Sequence, residues 1–273
     1  MGSGISIQGI KDEETKMITS KSNPQIKRLI QLQKKSKARA EEKVFVVEGI
    51  RMFVEVPKER VEKVYFSETF FEKKKEELDL QSYPYEVLSD VVFQHVSDTQ
   101  TPQGVLCIVK QVKYQKEALL KLENPHFMVL DNLQDPGNLG TIIRTAEGAG
   151  VDAVFMSKDC VDLFNSKTIR STMGSIYRMP TIYIEDIPSL LDEFRKNGVR
   201  SYAAHLEGKN AYDQENYQCG TAILIGNEGN GLREEVSEKA DVWVRIPMHG
   251  QVESLNAAIA ASIMMFEVSR QRR

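Results

Sequence analysis

Between residues 127 and 246 the chain repeats one pattern: a run of four or five mainly apolar residues and then, in most cases, a longer amphipathic stretch. The runs cover 127–130, 153–156, 181–184, 201–205, 222–225 and 242–246. Runs this short, rich in Val, Ile, Phe and Ala, have the length of strands rather than helices. Strands separated by helices pair in parallel, because each parallel connection must cross over the sheet, and the crossovers then cover both faces. The pattern predicts an α/β domain with a mostly parallel sheet and helices on both sides.

A shorter alternation precedes it. Residues 43–47, 61–67 and 104–109 read as strands, 48–56 and 70–78 as helices, and 87–96 as an apolar segment. Together they predict a small α/β/α sandwich. The segment 111–125 is polar and charged, with a short helical stretch, and leads from one unit to the other, so the expected boundary falls between 115 and 116. Residues 1–16 contain Gly and Ser, then charge, without period, and read as a disordered leader, with Met17 as the natural start. The expected division is 1–16, 17–115 and 116–273.

Composition narrows the class. A chain of 273 residues can bury one large or two medium cores, and 41% hydrophobic with 27% charged residues fits a soluble globular protein. No apolar run approaches the ~20 residues of a membrane span, and no basic-then-apolar leader is present, so a cytoplasmic protein is expected. Cys107, Cys160 and Cys219 are odd in number and far apart, and the four histidines are scattered, a distribution that predicts neither a disulfide nor a metal site.

The net charge of −3 argues against nucleic acid only as an average. Between Lys21 and Arg39 stand Lys27, Arg28, Lys34, Lys35 and Lys37 with no acidic residue among them. On one helix, Ile26, Leu29, Ile30 and Gln33 would share a buried side while the basic residues cover the rest, a surface suited to phosphates.

Three motifs carry the chemistry. The first, Asn138-Leu139-Gly140-Thr141-Ile142-Ile143-Arg144, follows the turn sequence Asp135-Pro136-Gly137. Asn138 is placed as a helix N-cap, and Arg144 lies off the apolar stripe of Leu139, Ile142, Ile143 and Ala146. The second, Ile225-Gly226-Asn227-Glu228-Gly229-Asn230-Gly231-Leu232, follows a strand as a nucleotide-binding turn does. Its glycine order is neither that of a dinucleotide fingerprint nor that of a phosphate-binding loop. In the third, Ile246-Pro247-Met248 leads through a loop to Glu253-Ser254-Leu255-Asn256-Ala257-Ala258. Ser254 reads as the N-cap of a final helix whose apolar face holds Leu255, Ala258, Ile259, Ser262, Ile263 and Phe266.

In order and spacing, this set resembles the signature motifs of the SpoU branch of the SPOUT RNA methyltransferases. The resemblance implies a C-terminal trefoil knot, S-adenosyl-L-methionine as cofactor and methylation of a ribose 2′-hydroxyl without a metal. It places Gly226, Ile246, Met248 and Leu255 at the cofactor, and Asn138, Arg144, Glu228, Ser254 and Asn256 in the active site. Arg144 then positions RNA and stabilises a developing alkoxide, since a guanidinium is a poor base but a good planar donor. Glu228 orients either Arg144 or a ribose hydroxyl. The resemblance further implies a homodimer whose site combines both subunits. It makes 17–115 an RNA-holding domain of the kind found in ribosomal proteins, with structured RNA, ribosomal RNA first, as partner. A transfer-RNA methyltransferase of the same fold and a non-catalytic RNA-binding or assembly protein are the alternatives.

Overall fold

The computed structural model describes residues 17–273; the expected leader, 1–16, lies outside the described residues. In the N-terminal part, α1 (Pro24–Lys34), α2 (Ser36–Glu42), β1 (Val44–Glu48), α3 (Ile50–Val54), β2 (Val61–Ser67), α4 (Glu68–Lys74), β3 (Tyr85–Leu88), α5 (Asp90–Val96) and β4 (Val105–Lys110) follow in order. The four strands form one mixed sheet, β1-β4-β2-β3. Alternate residues of β1 point to opposite faces, Val44 and Val46 toward α1 and α5, Phe45 and Val47 toward the side of α3, so both faces are dry and the strand is apolar from Val44 to Val47.

Two local expectations change here. The basic region is not one helix: the chain is extended at Lys35, α1 buries Ile26, Leu29 and Leu32 rather than Ile30 and Gln33, and Arg39 is buried instead of facing water. Arg39 donates to the carbonyls of Leu32 and Gln33 at the end of α1 and pairs with Asp162 of the C-terminal part. Charge pattern alone does not separate a solvated arginine from one that caps a helix. The apolar segment 87–96 splits into the end of β3 and α5, because Ser89 accepts from the Val92 amide and starts a helix.

The C-terminal part continues with α6 (Lys116–Leu119), β5 (His126–Leu130), α7 (Pro136–Gly148), β6 (Ala153–Ser157), α8 (Ser166–Thr172), β7 (Thr181–Ile184), α9 (Ile187–Lys196), β8 (Val199–Ala204), β9 (Asn210–Ala211), β10 (Gly220–Ile225), α10 (Glu234–Ser237), β11 (Val242–Arg245) and α11 (Ala257–Gln271). Its sheet has seven strands, β7-β6-β5-β10-β8-β11-β9, every neighbouring pair parallel. The short β9 adds an edge that hydrophobic pattern does not mark. Phe127, Phe155 and Leu224 face α9, whereas Met128, Met156 and Ile225 face the layer holding α7 and α11. After β5 the chain winds outward through β6 and β7, then returns to build β8, β10 and β11 on the other side. The reversal leaves β5 beside β10, the kind of switch point where open parallel sheets place their ligands.

The two parts share a core. Phe45 stacks on Phe164 with centroids 4.7 Å apart, and the Tyr177 hydroxyl donates to the Met52 carbonyl at 2.9 Å. Arg178 links Glu55 of the first part to Glu147 on α7.

Candidate active site

A cleft of about 970 Å³ opens at the carboxyl ends of β8, β10 and β11. One wall is the turn Gly226–Leu232 that leaves β10. Ile246, Met248, Ser254 and Leu255 form another, and His205–Glu207, following β8, closes a third side. The first wall folds back on itself: the Asn227 amide donates to the Gly231 carbonyl at 2.8 Å and the Gly231 amide returns the bond at 2.9 Å. Gly226 lies under that crossing, where a Cβ would sit 2.0 Å from the Gly231 carbonyl carbon, so no larger residue fits without moving backbone.

The Glu228 carboxylate accepts from the amides of Gln134 at 3.0 Å and Asp135 at 2.8 Å, and from the Asn138 side-chain nitrogen at 3.0 Å. The Asn138 side-chain oxygen accepts from Asn256 at 2.9 Å. One side chain from each motif is thus joined in a row. Partial burial works to raise the Glu228 carboxyl, but the Asn138 side chain and the two amides outweigh it and hold the group below its ordinary value. It is an anion engaged by three donors, which suits holding geometry better than removing a proton.

Two capping expectations are corrected. Asp135, not Asn138, caps α7, accepting from the Asn138 amide at 2.8 Å; Asp135 is extended before Pro136, as a cap requires. Asn138 sits inside the first turn with its side chain free for Glu228. Asn256, not Ser254, caps α11 through the amides of Ala258 and Ile259, and Ser254 stands exposed on the cleft wall. The buried face of α11 also differs: Ala257, Ala258, Ala261, Met264, Met265 and Val268 are buried, while Ile259 and Phe266 are 51% and 45% exposed. Small alanines let α11 lie close to α7 and β10, and Ile259 and Phe266 fall on its outward face.

Arg144 is exposed on α7 and does not line the cleft of its own chain; among the described residues its side chain has no hydrogen-bond or ion-pair partner. It lies one turn beyond Gly140, the point where α7 touches α8 through the Thr168 carbonyl and Ser171. His205, Leu206 and Glu207 line the cleft but carry no motif; their position at the end of a parallel strand beside the switch point was the available signal. Among the described residues, no group of three metal-ligating side chains converges and no helix is long and apolar enough to cross a membrane.

Comparison with known proteins matches residues 125–266 to the SpoU rRNA Methylase family and 23–107 to the MRM3-like substrate binding domain. The chain is 33% identical over 255 residues to the 23S rRNA (guanosine(2553)-2'-O)-methyltransferase RlmP of Bacillus subtilis, covering 93% of this chain and 99% of that protein. It is similarly 33% identical over 264 residues to an uncharacterized tRNA/rRNA methyltransferase of Synechocystis, with 93% and 94% covered. The AdoMet-bound rRNA methyltransferase from Sinorhizobium meliloti superposes with a TM-score of 0.81 at 30% identity, over 93% of this chain and 97% of that one. Fold, motif order and these likenesses agree: the chain belongs to the SpoU rRNA methylase family.

Proposed function

We propose that this RNA methyltransferase transfers a methyl group to a ribose 2′-hydroxyl, with ribosomal RNA as substrate, and that the cleft beside Gly226–Leu232 is its S-adenosyl-L-methionine site. The observation that carries the reading is the row Glu228–Asn138–Asn256, which joins the three motifs at the edge of that cleft. A volume near 970 Å³ fits a ligand of nucleoside size, and Ile246, Met248 and Leu255 offer an apolar wall for a base. Glu228 on the same lining is an anion matched to a cationic ligand. Bound S-adenosylmethionine supplies a methyl group made electrophilic by its sulfonium.

The rest belongs to the chain. Gly226, Ile246, Met248 and Leu255 hold the cofactor, and Ser254 and Asn256 border the reacting hydroxyl. Glu228 holds the Gln134 and Asp135 amides and the Asn138 side chain, and Arg144 holds the RNA and stabilises negative charge that develops on the reacting oxygen. Since Arg144 does not reach its own cleft, we assign it to the cleft of a second copy. The exposed Ile259 and Phe266, seven residues apart on one face of α11, support a homodimer through that face. Residues 17–115 then form the RNA-holding domain and 116–273 the catalytic domain with its trefoil knot, a division supported by the two separate sheets. The MRM3-like match and the ribosomal RNA substrate named for the Bacillus relative support this assignment, and a ribosomal substrate supports a cytoplasmic location.

Incubating the full chain with S-adenosylmethionine and either ribosomal or transfer RNA, then mapping ribose methylation, tests the function. A single new 2′-O-methyl site in ribosomal RNA is expected. Methylation confined to transfer RNA would overturn the substrate, and methylation of a base would overturn the chemistry.

A further inference from the structure

Both ends of the turn Gly226–Leu232 are attached to the same residue, Asp131. At the start, the Asp131 amide donates to the Ile225 carbonyl at 2.9 Å, the last rung between β5 and β10. At the far end Arg233, the first residue after the turn, grips the Asp131 carboxylate. Its amide donates to Oδ2 at 3.0 Å, and its Nε and Nη2 donate to Oδ1 at 2.9 and 2.5 Å. Asp131 has no exposed side-chain surface, whereas the Arg233 side chain is 40% exposed. Between these ends the Asn227 side chain donates to the Asn132 carbonyl at 2.9 Å, and Glu228 takes the amides of Gln134 and Asp135.

We infer that Arg233 is a positioning residue for cofactor binding, a clasp that holds the turn Gly226–Leu232 closed by pairing with the buried carboxylate of Asp131. Arg233 does not line the cleft; it acts through the turn. The turn's near end is held by sheet hydrogen bonds that no side chain can remove, and its middle by Glu228. At its far end the Arg233 amide alone would leave Asp131 Oδ1 unpaired, and the guanidinium supplies both bonds to that oxygen. That guanidinium also reaches Asp159 at 3.4 Å and Glu235 at 3.8 Å, but those carboxylates are exposed and contribute little. The pair with Asp131 is different in kind, because removing one partner leaves a charge without solvent. A planar donor is needed, since three bonds to two oxygens are made by one side chain and its own amide; a lysine supplies charge without the fork.

The inference rests on the reading of the cleft as the cofactor site, and the test separates the two. S-adenosylmethionine binding is measured by calorimetry on the full chain for wild type, Arg233→Met, Arg233→Lys and the pair Asp131→Asn with Arg233→Met. Steady-state methylation gives KM for cofactor and for RNA apart from kcat. The expected result is a cofactor KM raised about tenfold or more in Arg233→Met, with kcat at saturating cofactor and KM for RNA near wild type. Arg233→Lys should fall between, and the double variant, which removes the stranded charge, should recover part of the lost affinity. If Arg233→Met does not fold, Arg233→Lys and the double variant carry the same comparison. An unchanged cofactor KM in folded Arg233 variants, or a loss confined to kcat, overturns the clasp. Unimpaired binding by a Leu255→Arg variant overturns the assignment of the cleft itself, whatever the Arg233 variants do.

Discussion

The Asn138 side-chain nitrogen lies 3.0 Å from Glu228 Oε1, across 90 residues of sequence, and its oxygen faces Asn256 at 2.9 Å. A side-chain amide donates to a carboxylate through its nitrogen while its oxygen accepts from a neighbour on the other side. Asp at position 138 would repel Glu228, and Ala would leave both neighbours with an unmet bond. Asn138→Ala and Asn138→Asp are therefore expected to lower the transfer rate at saturating substrates by at least about tenfold, with cofactor affinity less affected. Single-turnover methylation beside calorimetry checks this; equal loss in both would place Asn138 in cofactor binding instead.

Glu228 also sets a pH dependence. Its folded-state carboxyl is held below the ordinary value, so the favourable contribution is present above that ordinary value and lost as pH falls through the lowered one. Folding stability should stay level from neutral pH down to the carboxylate range and lose this contribution only in acid. Glu228→Gln, which turns an N–H toward amides that need an acceptor, should be less stable at neutral pH and lack the acid fall attributable to this group. Denaturant unfolding against pH for both proteins decides it.

Gly226→Ala places a Cβ 2.0 Å from the Gly231 carbonyl carbon, where only backbone can yield. Overpacking of this kind costs about 1–3 kcal/mol. The variant should unfold at lower denaturant and bind S-adenosylmethionine poorly, whereas Gly150→Ala, at a position with no neighbour within 4 Å but with φ +73°, should lose stability without losing cofactor.

Arg144→Ala should fold, dimerise and bind cofactor like wild type while transfer falls by about a hundredfold or more, the scale of removing one charge-stabilising donor. Arg144→Lys should also fail, because a point charge lacks the planar fork. In mixtures, Arg144→Ala with Glu228→Gln should regain activity if each cleft takes its arginine from the other subunit. No recovery on mixing pre-dissociated subunits would assign Arg144 to its own chain.

Ile259→Glu with Phe266→Glu should turn a dimer into a folded monomer that sediments at half the mass, without disturbing the buried Ala261 and Met265 of the same helix. A dimer that persists would move the interface elsewhere. In the N-terminal part, Lys34, Lys35 and Lys37 changed to Glu should weaken RNA binding and flatten its salt slope by roughly one unit per lost phosphate contact, leaving cofactor affinity unchanged.

Local pattern alone determined the strands and the order of the motifs. Strand period, the turn Asp135-Pro136-Gly137 and the glycines after β10 are properties of neighbouring residues, and they placed every long strand of the larger sheet within two residues of its observed bounds. Which face of a helix is buried depended on what lies across the gap. Asp135 takes the cap of α7 locally, next to Pro136, but the freed Asn138 side chain meets Glu228 because β10 inserts beside β5. Ile259 and Phe266 fall on the outward face of α11, whose alanines lie close to α7. The clasp between Asp131 and Arg233 spans 102 residues and has no local signature at all. Short-range periodicity encodes elements; the meeting of charges across a sheet is settled only when the strands choose their neighbours.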